Sequence, residues 1–268
     1  MSDNMGRRHF LTGTLAAAAA AGLAAELIAK DSTGGKAQEF YELRIYRCPT
    51  AEKQKLTSDH LEQALIPALR RQGVSRVGVF TSLEDDSDTS IYLLAVYPTL
   101  DLLGNRNAGL AADKKFQQAA AKFFSIPKKD PAFTRIESRL MKAFAGIPVV
   151  ELPSSTKAGK PRMFELRIYE SHNEQKAALK VAMFNEGEIE VMRDVNLAPV
   201  FFGETLISGD VPNLTYLLSA DDLESHKAHF QAFLAHPDWL RMKKLDRFKD
   251  TVSKITSIML KPTSYSEI

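Results

Sequence analysis

The chain has 268 residues and a net charge of +2, with basic and acidic residues interleaved, so no basic stripe is available to track a nucleic-acid backbone. A single cysteine, Cys48, excludes an internal disulfide and a Cys-rich zinc site. No apolar run is long and pure enough to span a bilayer, and the length beyond the leader, about 230 residues, suffices for two small domains or one fused pair.

The N-terminus reads as a leader. Arg7-Arg8-His9-Phe10-Leu11 is similar to the twin-arginine export motif, and an Ala-rich apolar run from Leu15 to Ala25 comes after it. Residues 1–38 are therefore expected to be an export signal and tether, read by a receptor, that sends the protein to the periplasm or beyond. Small residues between Ala24 and Ala37 leave the cleavage point open, and a retained anchor is the alternative.

Glu42-Leu43-Arg44-Ile45-Tyr46 then recurs unchanged as Glu165-Leu166-Arg167-Ile168-Tyr169, and the segments after each copy keep the same order. A spacing held over about a hundred residues marks a duplicated supersecondary unit. Phe40 to Tyr46 alternates with period two and predicts a strand. Thr50 to Arg71 predicts a helix with Leu61, Leu65, Ala68 and Leu69 as its apolar stripe, Pro67 as a kink or early stop, and Gly73 as the cap. Strands over Val74 to Thr81 and Ile91 to Tyr97, a helix over Asp113 to Phe124 and a strand near Phe133 to Phe144 complete a β-α-β-β-α-β unit over residues 39–146.

Residues 147–161, rich in Pro, Ser, Gly and Lys, read as an exposed linker. The second unit, 162–262, repeats the order: helix Glu174 to Asp194, strand Pro199 to Glu204, a turn at Ser208-Gly209-Asp210 and strand Leu214 to Leu218. The last helix is expected to start at Ser219, with Asp222 in a box-like position and His226, Phe230, Phe233 and Leu234 as its stripe. Thr251 to Lys261 supplies the final strand, and residues 263–268 are a C-terminal tail. The predicted fold class is α+β: two ferredoxin-like units in tandem, their sheets facing each other as in a dimeric α+β barrel. With Leu43, Ile45, Leu166 and Ile168 turned toward the helices, Glu42, Arg44, Tyr46, Glu165, Arg167 and Tyr169 would face the space between the sheets.

Phe164 to Tyr169, Gly203-Glu204-Thr205, Pro212 to Leu218 and Phe233 to Trp239 together resemble the NIPSNAP family, over most of residues 160–262. The resemblance implies a dimeric α+β barrel fold. Animal members are mitochondrial or vesicle-linked adaptors, and the wider superfamily holds cofactor-poor monooxygenases, haem-handling enzymes, isomerases and ligand sensors, so no reaction is implied. The first unit lacks an equivalent of His236-Pro237-Asp238-Trp239 and reads as the degenerate half.

Arg44 with Tyr46, and Arg167 with Tyr169, are the first candidates for ligand contact. An Arg beside a Tyr can hold a carboxylate or an enolate-like oxygen. The alternative is that Glu42–Arg44 and Glu165–Arg167 close on each other as structural layers. Trp239 is either a packed helix terminus or a wall for an aromatic or lipid-like ligand. His60, His229 and His236 are candidate proton movers. His226 and His229 lie three apart on a helix, but no third ligand is placed by spacing, and neither a metal nor a cofactor is predicted. The function expected is an exported protein binding a small ligand or a protein partner through the barrel or an exposed groove. The alternative is a cofactor-poor monooxygenase or isomerase acting on an acidic or phenolic molecule. The protein would be a monomer with an internal barrel or a homodimer.

Overall fold

The computed structural model describes residues 37–268, so the leader expected over residues 1–38 lies almost wholly outside the described residues. Strand β1 (Phe40–Arg47) is followed by helix α1 (Ala51–His60), a π-turn (Leu61–Leu65), α2 (Ile66–Arg71), β2 (Arg76–Ser82), β3 (Ile91–Tyr97), α3 (Leu100–Ala112), α4 (Lys114–Phe124) and β4 (Arg135–Ala143). After a short α5 (Ser154–Lys157) come β5 (Met163–Glu170), α6 (Glu174–Met183), a π-turn (Phe184–Glu188), α7 (Ile189–Asp194), β6 (Ala198–Ile207), β7 (Asn213–Ala220), α8 (Leu223–Ala235), α9 (Pro237–Met242), a 3₁₀ turn (Asp246–Phe248) and β8 (Lys254–Pro262). Among the described residues no helix is long and apolar enough to cross a membrane.

The repeat is visible in the local chemistry. Thr50 and Asn173 stand at equivalent places and cap the first helix of each half, accepting from the backbone N–H of Lys53 and Lys176. Gly73 (φ 96°) and Asn196 (φ 59°) end those helices in the left-handed region, where glycine and asparagine carry little penalty. Pro67 does not end its helix; the chain passes through the π-turn and continues as α2.

The sheet closes into one barrel with the order β1-β3-β2-β8-β5-β7-β6-β4 and antiparallel pairing throughout. Within it, β4-β1-β3-β2 and β8-β5-β7-β6 are the same four-strand arrangement twice. The halves join through β2–β8 and β4–β6, so both seams lie within a single chain.

The barrel interior is packed with side chains from both halves, among them Tyr41, Leu43, Phe80, Phe164, Leu166 and Phe201. Beyond β8, Thr263 and Glu267 hydrogen-bond along β2 to Val79 and Val77, and Ile268 is buried within that interior core. Two further cores lie outside the barrel, each between one sheet and its own helices.

The direction of the strand faces is the reverse of the expectation. Leu43, Ile45 and Leu166 belong to the barrel interior, while Tyr46 and Tyr169 pack with the helical cores. Period two says which residues share a face. It does not say which face meets the helices when both are buried.

Three local expectations also change. Ser219 stays within β7 and the cap moves to Asp222, which accepts from Ser225 N and forms a capping box with it. Helix α3, capped by Thr99, is additional to the predicted elements. The linker is not freely exposed: Glu151 N donates to Val200 O, and Ser155 in α5 is buried.

Candidate functional site

The repeated triplet lies under the helices in both halves, where each glutamate organises a buried polar layer. Glu42 accepts from Ser138 Oγ at 3.0 Å, from Tyr97 and from Arg106, with Arg44 alongside. Glu165 accepts from Ser257 Oγ at 2.5 Å and from Arg167, and meets His226 Nε2 at 2.8 Å. Burial alone would raise the Glu165 carboxyl. The bond from His226, the Arg167 charge and Ser257 together hold it below the ordinary carboxylate range. With the carboxylate ionised, His226 donates from Nε2.

Only the C-terminal layer opens onto a cleft lined by its own Arg and Tyr among the described clefts. Arg167, Tyr169, Lys180, Glu188 and Trp239 line a cleft of about 470 Å³, walled by α6, α8, α9 and the start of β8. Tyr169 accepts from Arg167 Nε at 3.2 Å and from Tyr216 O–H at 2.8 Å, so its own hydroxyl proton remains to be donated. Burial raises the pKa of Tyr169, against the opposing Arg167 charge, and pushes Tyr216 well above the ordinary phenol. Both stay protonated near neutrality. Burial would lower the Arg167 pKa, but Tyr216, Tyr169 and Glu165 carry it above its usual value, so the guanidinium stays charged. Its Nη1 is bound to Glu165 and its Nε to Tyr169, while Nη2 has no hydrogen bond within the described residues.

Beside this pair lies a buried ion pair. Lys180 Nζ donates to Glu188 Oε2 at 2.6 Å and lies 4.5 Å from the Phe184 ring centre, 5.4 Å from Trp239 and 5.7 Å from Tyr169. Burial raises the Glu188 carboxyl, and the Lys180 charge opposes that rise. Trp239 packs at a tilt against Phe233, ring centres 4.8 Å apart, and its indole N–H is buried without a partner among the described residues. An unmade bond of that kind costs about 1–3 kcal/mol.

The N-terminal half treats the same positions differently. At the repeat offset of 123 residues, from Arg44 to Arg167, Lys180 and Glu188 correspond to Thr57 and Leu65, and Met183 to His60. Phe133 packs edge-on against Tyr46, and His60 stacks flat on Phe123 at 3.9 Å. Burial and the nearby Arg44 lower the His60 pKa to about 4, which leaves a neutral, weakly basic imidazole.

The three candidate histidines are thus not brought together. His60 is in the N-terminal aromatic cluster. His229 lines a separate polar cleft of about 520 Å³ with Ser155, Asn196 and Ser219. His236 caps α9, accepting from Asp238 N at 3.3 Å. None of them lines the cleft of Arg167 and Tyr169. His226, three residues from His229, is committed to Glu165.

A closed barrel of α+β halves, with a cation-and-tyrosine cleft outside one sheet, defines an α+β-barrel protein with both sheets in one chain. The NIPSNAP family model matches residues 164–267, the C-terminal half of this barrel. The chain is similar in fold to a provisionally named monooxygenase from Lactobacillus acidophilus NCFM, with 8% identity, a TM-score of 0.55, and 84% of this chain and 94% of that chain covered. An anthrone oxidase-like protein has 12% identity, a TM-score of 0.52 and coverages of 84% and 92%. A NIPSNAP-like domain protein from Burkholderia xenovorans matches at 23% identity over 39% of this chain and 88% of its own, with a TM-score of 0.36. No curated protein sequence matches this chain.

Proposed function

We propose that the C-terminal cleft binds a small acidic or phenolic molecule, its oxygen accepting from the Tyr169 hydroxyl and the Arg167 guanidinium. The observation that carries this reading is that Tyr169, on the cleft wall, already accepts two hydrogen bonds and has its own proton uncommitted among the described residues, beside a guanidinium whose Nη2 is likewise without a bond there. Side chains of both halves fill the barrel core, and the cleft of about 410 Å³ that reaches its Leu43 and Ile45 has Arg139 tied to Asp210 and no tyrosine in its lining, which favours the external cleft. The enzymatic alternative, a cofactor-poor monooxygenase or isomerase, draws on likeness of fold alone, and its proposed proton movers His60, His229 and His236 lie away from this cleft.

Calorimetric titration of the folded protein with benzoate and 4-hydroxybenzoate tests the reading. Tyr169→Phe, which removes one donor and little volume, should weaken binding several-fold. Arg167→Ala should weaken it by about ten- to a hundredfold, the span for a hydrogen bond to a charged group. Unchanged affinity in a folded Tyr169→Phe protein, or no binding by either compound, would sink it. Export by the twin-arginine route is part of the same proposal and rests on Arg7-Arg8 and the apolar run after them. Cell fractionation with both arginines changed to lysine would retain the protein inside, whereas unchanged export would refute that route.

A further inference from the structure

We infer that the ligand of the C-terminal cleft is an amphiphilic monocarboxylate, its headgroup on the Arg167–Tyr169 floor and its apolar body along Leu234 and Ile255. This rests on the reading of the cleft as an acid-binding site and adds the class of acid. Arg167, Tyr169, Lys180 and Glu188 adjoin one another in the cleft, while Phe230, Trp239, Val252 and Ile255 make much of the remaining wall. Leu234 on α8 and Ile255 on β8 both line it, yet they are 47% and 50% exposed. Apolar surface left in water beside a cation-bearing floor fits a ligand with a charged end and an apolar end.

Charge limits the headgroup. Glu165 offsets Arg167, and Glu188 offsets Lys180. At the rim, Lys243 and Asp250 are of opposite sign. With the cations already paired, the floor suits a single carboxylate better than a phosphate dianion. One carboxylate oxygen accepts from Tyr169 O–H and the other from Arg167 Nη2, so no existing bond in the layer has to break.

Titration with butanoate, hexanoate, octanoate and decanoate, each below its aggregation concentration, reads the chain-length dependence directly. Affinity should rise by about two- to fourfold per added methylene while the chain is being covered. Leu234→Ser and Ile255→Ser change exposed side chains and should fold. They should flatten that rise, weakening decanoate by a larger factor than butanoate. Tyr169→Phe should instead weaken every acid by a similar factor. If the acids bind with no dependence on length, or with a slope unaffected by both rim variants, the amphiphile assignment is overturned and the acid-binding reading survives. If no carboxylate of either kind binds, the acid-binding reading falls and takes this assignment with it.

Discussion

Tyr46 and Tyr169 stand at the same place in the two copies, each with an arginine over its ring at 5.2 and 5.4 Å. What separates them is their company. Thr57 and Leu65 in the first half become Lys180 and Glu188 in the second, a pair whose residues are 3% and 1% exposed. Burying two charges costs several kcal/mol per ion, so a pair absent from the sister half is not a requirement of the fold. Lys180→Met should therefore destabilise by about 3–5 kcal/mol near neutral pH, because it strands a buried carboxylate. The sign with pH comes from Glu188, whose folded pKa is raised by burial. Its neutral form is the tolerated one, so the loss should be smallest in acid and grow as pH rises through that folded pKa. Lys180→Met with Glu188→Leu, which restores an apolar residue as at Leu65, should recover most of the stability. Urea unfolding across the acid-to-neutral range checks all three statements. Much of this site was legible in sequence: Arg167 and Tyr169 as one strand face, Trp239 as a distinctive helix terminus. Lys180 and Glu188 were missed, although aligning the two copies exposes them as charges at positions that are uncharged in the first copy.

At the scale of elements, both halves place a π-turn in the first helix at the same point, Leu61–Leu65 and Phe184–Glu188. Pro67 comes after the first, but Glu190 holds the equivalent position after the second. The wide turn thus belongs to the repeated architecture and is not caused by proline. In the second copy it brings Glu188 back toward Lys180 and depends on Gly187, whose φ of 157° is poorly suited to an L side chain. A Cβ there would also meet Met242 Cε on α9 at 2.8 Å. Gly187→Ala should lower stability by about 1–2 kcal/mol, mostly from backbone strain, since the Met242 tip can move. The adjustment passes to the helix carrying Trp239, so ligand affinity should fall as well. Equal unfolding free energy in the variant would show that the turn relaxes without cost. The helix spanning Leu100–Ala112 escaped sequence reading because none of its residues is fully buried, and Leu102, Leu103 and Leu110, which meet the core in part, make only a weak apolar stripe.

For the whole molecule, the closing contacts matter more than either half alone. β2 pairs with β8 through three residue pairs, and the segment after β8 continues the contact along β2 to Ile268, which is 0% exposed. Ile268→Ala should cost about 2–5 kcal/mol, the range for a buried large-to-small change, while leaving acid binding at the distant Arg167 cleft unaltered. Thermal and urea unfolding, with titration of the folded variant, would test this; an undiminished stability would show that the terminal residue does not support the barrel.

The amino-acid sequence by itself determined the duplication, the order of the strands in each copy, and the barrel that two such sheets make. Those arise from local periodicity and from a repeated spacing, both visible along the chain. Only the tertiary structure decided which face of β1 and β5 looks inward. In a sheet with one wet side, polarity would have settled the matter. Here both sides are buried, and the polar side is satisfied not by water in a barrel but by Ser138 and Arg106 around Glu42, and by Ser257 and His226 around Glu165. These partners lie about 60 to 100 residues from their glutamates along the chain, so the polar triplet could be read as a unit while its place beneath the helices could not.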